Sequence, residues 1–147
     1  MSLPSQILIN VGYDLTPPYQ SYFDVNFLGS PIFGLDLYLG WCADRDTSFS
    51  PIDQVITATV YPVDQTLDLN ALEALFPDVD TPDWTQYLDE VHWLLNQNYI
   101  NQPGSTYTMG DVQGAIWTLL GDTPVGSNSL GTWTQANVDQ LVAIALL

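Results

Sequence analysis

The stretch DQVITATVYPVDQTLDLNALEALF, Asp53 to Phe76, changes its hydrophobic pattern part-way along its length. Its first half, Asp53 to Val63, is rich in β-branched residues and alternates partly with period two, which is typical of a strand. Its second half contains LNALEALF, Leu69 to Phe76, whose apolar residues follow the helical period and stop before Pro77. The change of period predicts a β-rich part over residues 1–66 and a helical part over residues 67–147.

The β-rich part contains four strand-like segments, and turn signals with Pro or Gly fall between them. The segments are Gln6 to Leu15, Tyr19 to Gly29, Ile32 to Ala43 and Asp53 to Val63. Together they predict a small antiparallel sheet or a barrel-like arrangement.

The first helix expected after Pro77 begins near Thr81, which can cap it, while Pro82 suits its first turn. Its apolar side chains recur at helical spacing and predict one buried stripe. The stripe consists of Trp84, Leu88, Val91 and Leu95.

Two more helices complete the predicted chain. One runs from Thr108 to Leu120, and Thr108 with Asp111 forms a variant of the capping box. The last helix begins at Thr134. Strands first and helices second predict an α+β fold, and a length of 147 residues suits a single domain.

The charge balance limits the partners that this chain can have. Its 17 acidic residues stand against one basic residue, Arg45, and give a formal net charge of −16. Such a surface repels polyanions, so neither nucleic acid nor an anionic membrane is an expected partner. No stretch approaches the ~18 apolar residues of a membrane span, so membrane insertion is not expected either.

A thiol enzyme is one alternative for the only cysteine, Cys42, and the only histidine, His92. Cysteine hydrolases need a thiolate, which positive neighbours stabilise, but Asp44 and Asp46 follow Cys42 and disfavour that form. A single His on an amphipathic helix is more often a half-buried, hydrogen-bonded residue than a catalytic base. The residues alone therefore support this alternative weakly.

A metal site is a second alternative. Asp44, Asp46, Ser48 and Asp53 lie in one loop with alternating oxygen ligands, which makes Asp44, Asp46 and Asp53 a weak calcium candidate. The glycine and terminal glutamate of an EF-hand are missing, so a solvated acidic loop explains the pattern more simply. No zinc-ligand spacing is present.

The segment DVQGAIWTLL, Asp111 to Leu120, has a buried stripe beside which Gln113 lies, one turn before Trp117. Together with the upstream Trp41-Cys42, the VQGAIW motif resembles the thioester domains of bacterial surface proteins. That family joins a cysteine sulfur on its β part to a glutamine side-chain carbonyl on a helix. The resemblance implies a thioester between Cys42 and Gln113 at the junction of the two parts.

The resemblance also implies a function and further site residues. Trp41, Trp117 and Tyr38 would shield the bond from water, and His92 is a candidate proton acceptor. The chain has no lysine, so apart from its N-terminus no internal amine competes for the acyl group.

The expected protein is an adhesin-type module, attached to the cell surface outside the cell as a monomeric domain of a larger protein. It would react once, without a cofactor, with a lysine amine or a hydroxyl on a surface protein or glycan, and so it is not an enzyme. The first rival is a carbohydrate- or calcium-dependent binding module of the same fold with a free Cys42. The second rival is the thiol enzyme with His92.

Overall fold

Four strands form the N-terminal part of the chain in the computed structural model, which describes residues 6–12, 22–28, 37–43, 45, 54–60, 68, 70, 84–124 and 128–147. The strands are β1 (Gln6–Gly12), β2 (Tyr22–Leu28), β3 (Leu37–Trp41) and β4 (Val55–Thr59). Each lies inside one of the four segments predicted from the hydrophobic pattern, so the predicted strands are confirmed.

The strands form one antiparallel sheet in the order β3-β2-β1-β4. β1 and β2 pair with their neighbours in sequence, whereas β4 returns to pair with β1. β3 and β4 therefore lie at the two edges, and the described strands make an open sheet. The sheet is confirmed, and the barrel-like alternative is wrong for these strands because a barrel has no edges.

The two faces of the sheet have different neighbours at the β3 edge. Tyr38 pairs with Val25 of β2, and Leu39 pairs with Asp24. Because successive side chains of a strand point to opposite faces, Leu39 and Trp41 share one face and Tyr38 lies on the other. Trp41 packs against the helical core, so its face is the one turned toward the helices.

Three α-helices and two short 3₁₀ turns form the C-terminal part. The helices are α1 (Leu88–Asn96), α2 (Met109–Leu119) and α3 (Gln135–Ala145), and the turns are Trp84–Tyr87 and Tyr99–Asn101. Thr108 caps α2, as predicted, and Thr134, at which the last helix was predicted to begin, caps α3. The α+β fold is thus confirmed. Among the described residues, every helix is too short or too polar to cross a bilayer.

The last residue of the buried stripe predicted for α1 is wrong, and two predicted segments before α1 lie outside the described residues. The stripe ends at Leu94, which is 1% exposed, and not at Leu95, which is 36% exposed. Spacings of three and four both keep a side chain on one helix face, and the chain offers leucine at both positions. The predicted helix over residues 69–76 and the capping residues 81–83 are not described, apart from Asn70, which is helical.

The helical core is organised around α2. Its buried residues come from all three helices and from the residue after α2, and they pack against partly buried aromatic side chains that include Trp41 of β3. The buried members are Leu94, Val112, Ala115, Ile116, Leu119, Leu120, Val138 and Leu141. α2 therefore lies between α3 and the β3 edge of the sheet, which is the position that carries Gln113 to the β part.

Candidate functional site

Asp111, in the first turn of α2, fixes the start of this helix. The Thr108 hydroxyl accepts from the Asp111 N–H at 3.1 Å, and the Asp111 carboxylate accepts from the Thr108 N–H at 2.8 Å, which completes the predicted capping box. The same carboxylate, which is 0% exposed, also accepts from the Thr134 N–H at 2.8 Å and from the Asn137 side chain at 3.0 Å. One buried carboxylate therefore holds the first turns of α2 and α3 together.

Two glycines allow neighbouring segments to approach α2 closely. A Cβ at Gly110 would collide with the main-chain oxygens of Leu130 and Thr132, and a Cβ at Gly114 would lie 2.8 Å from a methyl carbon of Val138. Only a residue without a side chain fits at these contacts. The position of α2, and hence of Gln113 directly before the second glycine, is closely constrained.

Gln113 makes the contact that joins the helical part to the β part. Its side chain is 0% exposed. Its Oε1 accepts a hydrogen bond from the main-chain N–H of Cys42 at 2.9 Å, and its Nε2 donates to the main-chain carbonyl of Cys42 at 2.7 Å. The structure thus brings together two residues that are 71 positions apart in the chain.

The chemistry of this pair follows from which atoms are joined. Both polar atoms of the Gln113 carboxamide bond to one residue, so the electrophilic carbon between them lies beside Cys42. The Cys42 thiol is attached to that same residue and is partly buried. The structure thus joins the Gln113 carboxamide to the main chain of the residue that carries the thiol, and a main-chain N–H already bonds to the oxygen on which negative charge would develop in an attack on this carboxamide.

A second contact ties the chain after Cys42 to the end of α2. The main-chain N–H of Arg45 donates to Oδ2 of Asp122 at 3.2 Å. Asp122 in turn donates its own N–H to the carbonyl of Trp117 at 2.8 Å. Arg45 was conspicuous in the sequence as the only basic residue, but in this contact its main chain is what bonds.

Trp41 and Trp117 both lie close in the chain to the pair. Trp41 precedes Cys42, is partly buried against the helical core, and its ring lies 6.0 Å from that of Tyr22. Trp117 follows Gln113 by one helical turn and is 1% exposed. Its indole N–H finds no hydrogen-bond partner within the described part of the chain, which is unusual for a buried donor.

Tyr38 and His92, the other two candidate site residues, lie on β3 and α1. Tyr38 is on the opposite face of β3 from Trp41, where its ring meets Phe27 edge-on at 4.8 Å. His92 is exposed on α1, and its main-chain carbonyl accepts from Asn96. The structure therefore packs Tyr38 against Phe27 and leaves His92 exposed on α1.

The calcium candidates Asp44, Asp46 and Asp53 lie outside the described residues. Among the residues that are described, no group of three or more His, Cys, Asp or Glu side chains forms a metal site.

A cavity of about 270 Å³ lies where the β3 edge of the sheet meets the helical part. It lies between β3, the C-terminal end of α1, the 3₁₀ turn Tyr99–Asn101 and the start of α2. Trp41 and Val112 line it, and they are the residues directly before Cys42 and Gln113. Hydrophobic periodicity gave no sign of this cavity, because its walls come from four separate segments.

Comparison with protein families, with curated proteins and with solved structures finds no match to this chain.

Proposed function

We propose that this chain is a covalent attachment module of a cell-surface protein, in which Cys42 and Gln113 form an internal thioester. The observation that carries the proposal is the buried Gln113 carboxamide, held by the main-chain N–H and carbonyl of Cys42. A resemblance in sequence named these two residues, and in the fold they are in contact.

Formation of the bond needs one attack and one leaving group. The Cys42 sulfur attacks the carboxamide carbon of Gln113, the thiol proton passes to the side-chain nitrogen, and ammonia leaves. The main-chain N–H of Cys42 donates to Oε1 at 2.9 Å and stabilises the negative charge that develops there. The hydrogen bond from the Gln113 Nε2 to the Cys42 carbonyl is lost when the nitrogen departs.

The acyl carbon must then survive in water until a partner arrives. Gln113 is fully buried, Trp117 one helical turn further on is 1% exposed, and Trp41 packs against the helical core, so the surroundings of both residues are largely apolar. Lysine is absent from the chain, so no side-chain amine of its own can reach the acyl group. These features favour a long-lived thioester.

The reaction with a partner is a single acyl transfer. An amine or hydroxyl of a surface protein or glycan attacks the Gln113 carbonyl carbon, the bond to sulfur breaks, and the nucleophile's proton passes to Cys42. An amide or ester to the partner results, and the thiol is released. Because the acyl group is consumed, the module acts once and does not turn over as an enzyme, and its place is outside the cell on the bacterial surface.

The experiment that tests the proposal is the intact mass of the native protein before and after incubation with methylamine. We expect a mass one ammonia below the sequence value, then addition of methylamine at Gln113 with a free thiol at Cys42. Cys42→Ala is the matched control, because both hydrogen bonds to Gln113 use main-chain atoms that alanine retains. A native protein with the full sequence mass and a thiol that iodoacetamide alkylates would contradict the proposal.

A second candidate is a non-covalent binding module of the same fold with a free Cys42. One observation favours it: both polar atoms of the Gln113 carboxamide already have good hydrogen bonds, so this side chain also serves as a purely structural link. In that case methylamine leaves the mass unchanged.

A further inference from the structure

The cavity lined by Trp41 and Val112, the residues directly before Cys42 and Gln113, has aromatic walls. Trp41 lies on one side, and Tyr99 lies on another, in the 3₁₀ turn after α1. Tyr107 packs edge-on against Tyr99, with 5.4 Å between ring centres and 71° between ring planes, which holds the Tyr99 ring in place. Flat aromatic faces of this kind pack well against the C–H face of a ring-shaped ligand.

Two asparagine side chains at the cavity have a fixed mutual arrangement. The Asn101 amide nitrogen donates to the Asn98 amide oxygen at 2.7 Å, and the Asn101 main chain donates to the Asn98 carbonyl at 3.0 Å. Asn98 adopts a left-handed conformation, with φ of 52°, which Asn tolerates better than most residues. Within the described residues, the amide nitrogen of Asn98 and the amide oxygen of Asn101 have no hydrogen bond. One donor and one acceptor are thus available side by side, as a pair of adjacent hydroxyls requires.

The cavity is small and, over its described lining, uncharged. Its other described residues are apolar: Leu39, Leu94, Leu95, Ile100, Met109 and Val112. None of the lining residues that the structure describes is a carboxylate, although the chain carries 17 acids. A volume of about 270 Å³ is below the usual range for drug-sized ligands and suits a single ring. An ammonium group would find no counter-charge on these walls, and its desolvation would be costly.

We infer that this cavity binds one neutral, hydroxyl-bearing sugar ring, so that the partner of the module is a glycan. The ring packs on Trp41 and Tyr99, and two of its hydroxyls bond to Asn98 and Asn101. This inference deepens the proposed function and rests on it only for the covalent step. In that step a sugar oxygen bonds to the Gln113 carbonyl carbon, the carbon–sulfur bond breaks, and the hydroxyl proton passes to the Cys42 sulfur.

The inference is tested by reversible binding to the Cys42→Ala protein, which cannot form a thioester. The probes are the methyl glycosides of glucose, galactose, mannose and N-acetylglucosamine, and n-butylamine serves as the cationic comparison. Tryptophan fluorescence follows the titration, because Trp41 lines the cavity. We expect at least one glycoside to bind with a millimolar Kd, as a ligand of this size allows, and to bind at least tenfold more tightly than the amine.

Two variants locate the binding. Asn98→Gly removes the amide and still permits the positive φ, so it should weaken glycoside binding at least tenfold without unfolding the turn. Asn96→Ala, which removes a surface amide of α1 that bonds to the His92 carbonyl, is the matched control and should leave binding unchanged. The inference is overturned if no glycoside binds, if n-butylamine binds as tightly, or if Asn98→Gly has no effect. These outcomes are separate from failure of the methylamine reaction, which concerns the proposed function.

Discussion

Replacing Cys42 with alanine measures the thioester through the stability of the fold. The substitution keeps both main-chain hydrogen bonds to Gln113 and removes only a partly buried thiol, which alone costs less than about 1 kcal/mol. A covalent link between residues 71 positions apart also restricts the unfolded chain. On the chain-entropy relation established for disulfides, closing a loop of that length contributes about 4 kcal/mol at 25 °C. With a thioester in the native protein, we therefore expect Cys42→Ala to lower the free energy of unfolding by about 4–5 kcal/mol.

Urea unfolding followed by tryptophan fluorescence measures this difference. Methylamine supplies a control without any substitution, because it opens the thioester and should bring the wild-type protein close to the stability of Cys42→Ala. Gln113→Ala removes the link and both hydrogen bonds, so it should be less stable than Cys42→Ala by a further amount of about 1–3 kcal/mol. If Cys42→Ala unfolds within about 1 kcal/mol of the wild type, and methylamine changes nothing, no link is present. The extra cost of Gln113→Ala would then belong to a structural link alone.

Three further changes test the framework around the pair. Asp111→Ala removes a buried carboxylate and leaves its hydrogen-bond donors unpaired, so it should lower the free energy of unfolding, measured in urea, by at least about 3 kcal/mol. The control Asp139→Ala, which removes an exposed carboxylate, should change this free energy by less than about 0.5 kcal/mol. Gly114→Ala sets a methyl 2.8 Å from Val138, so the helix-propensity gain should be outweighed by a net loss of about 1–2 kcal/mol, part of which Val138→Ala should restore in the double variant. Burial raises the pKa of the Tyr22 hydroxyl above 10.0, its ordinary value. The contribution of the protonated Tyr22 to the free energy of unfolding is therefore fully present below pH 10 and is lost as the pH rises through the higher pKa of the folded state. Tyr22→Phe should make alkaline unfolding less steep, and an unchanged alkaline slope would show that Tyr22 is not responsible.

The strands and the three described helices could be predicted from the sequence because each rests on local signals. Period-two alternation marked the strands, the capping-box pattern at Thr108 marked the start of α2, and the last helix was predicted to begin at Thr134, which caps α3. The last buried residue on the apolar face of α1 could not be predicted from the sequence. Leu94 and Leu95 have the same side chain, and only packing against the core distinguishes them.

Local sequence patterns predicted less of the candidate site than of the fold. Nothing in the helical period separates Gln113 from an ordinary surface glutamine, and only the resemblance to a family selected it. The wider role of Asp111 depends on Thr134 and Asn137, which are 23 and 26 residues further along the chain. Spacing within one helix cannot reveal partners that the fold supplies from another.

The two hydrogen bonds between Gln113 and Cys42 make the contact between the helical part and the sheet measurable in solution by amide hydrogen exchange. The amide hydrogen of Cys42, directly after the last residue of β3, bonds to a side chain of α2. Its exchange with deuterium therefore reports separation of the helix from the sheet edge, while the amides within the strand ladders report opening of the sheet itself. The exchange rate of the Cys42 main-chain N–H therefore measures how often the helical part separates from the edge of the sheet. This N–H is present both when Gln113 is a carboxamide and when it is an acyl group.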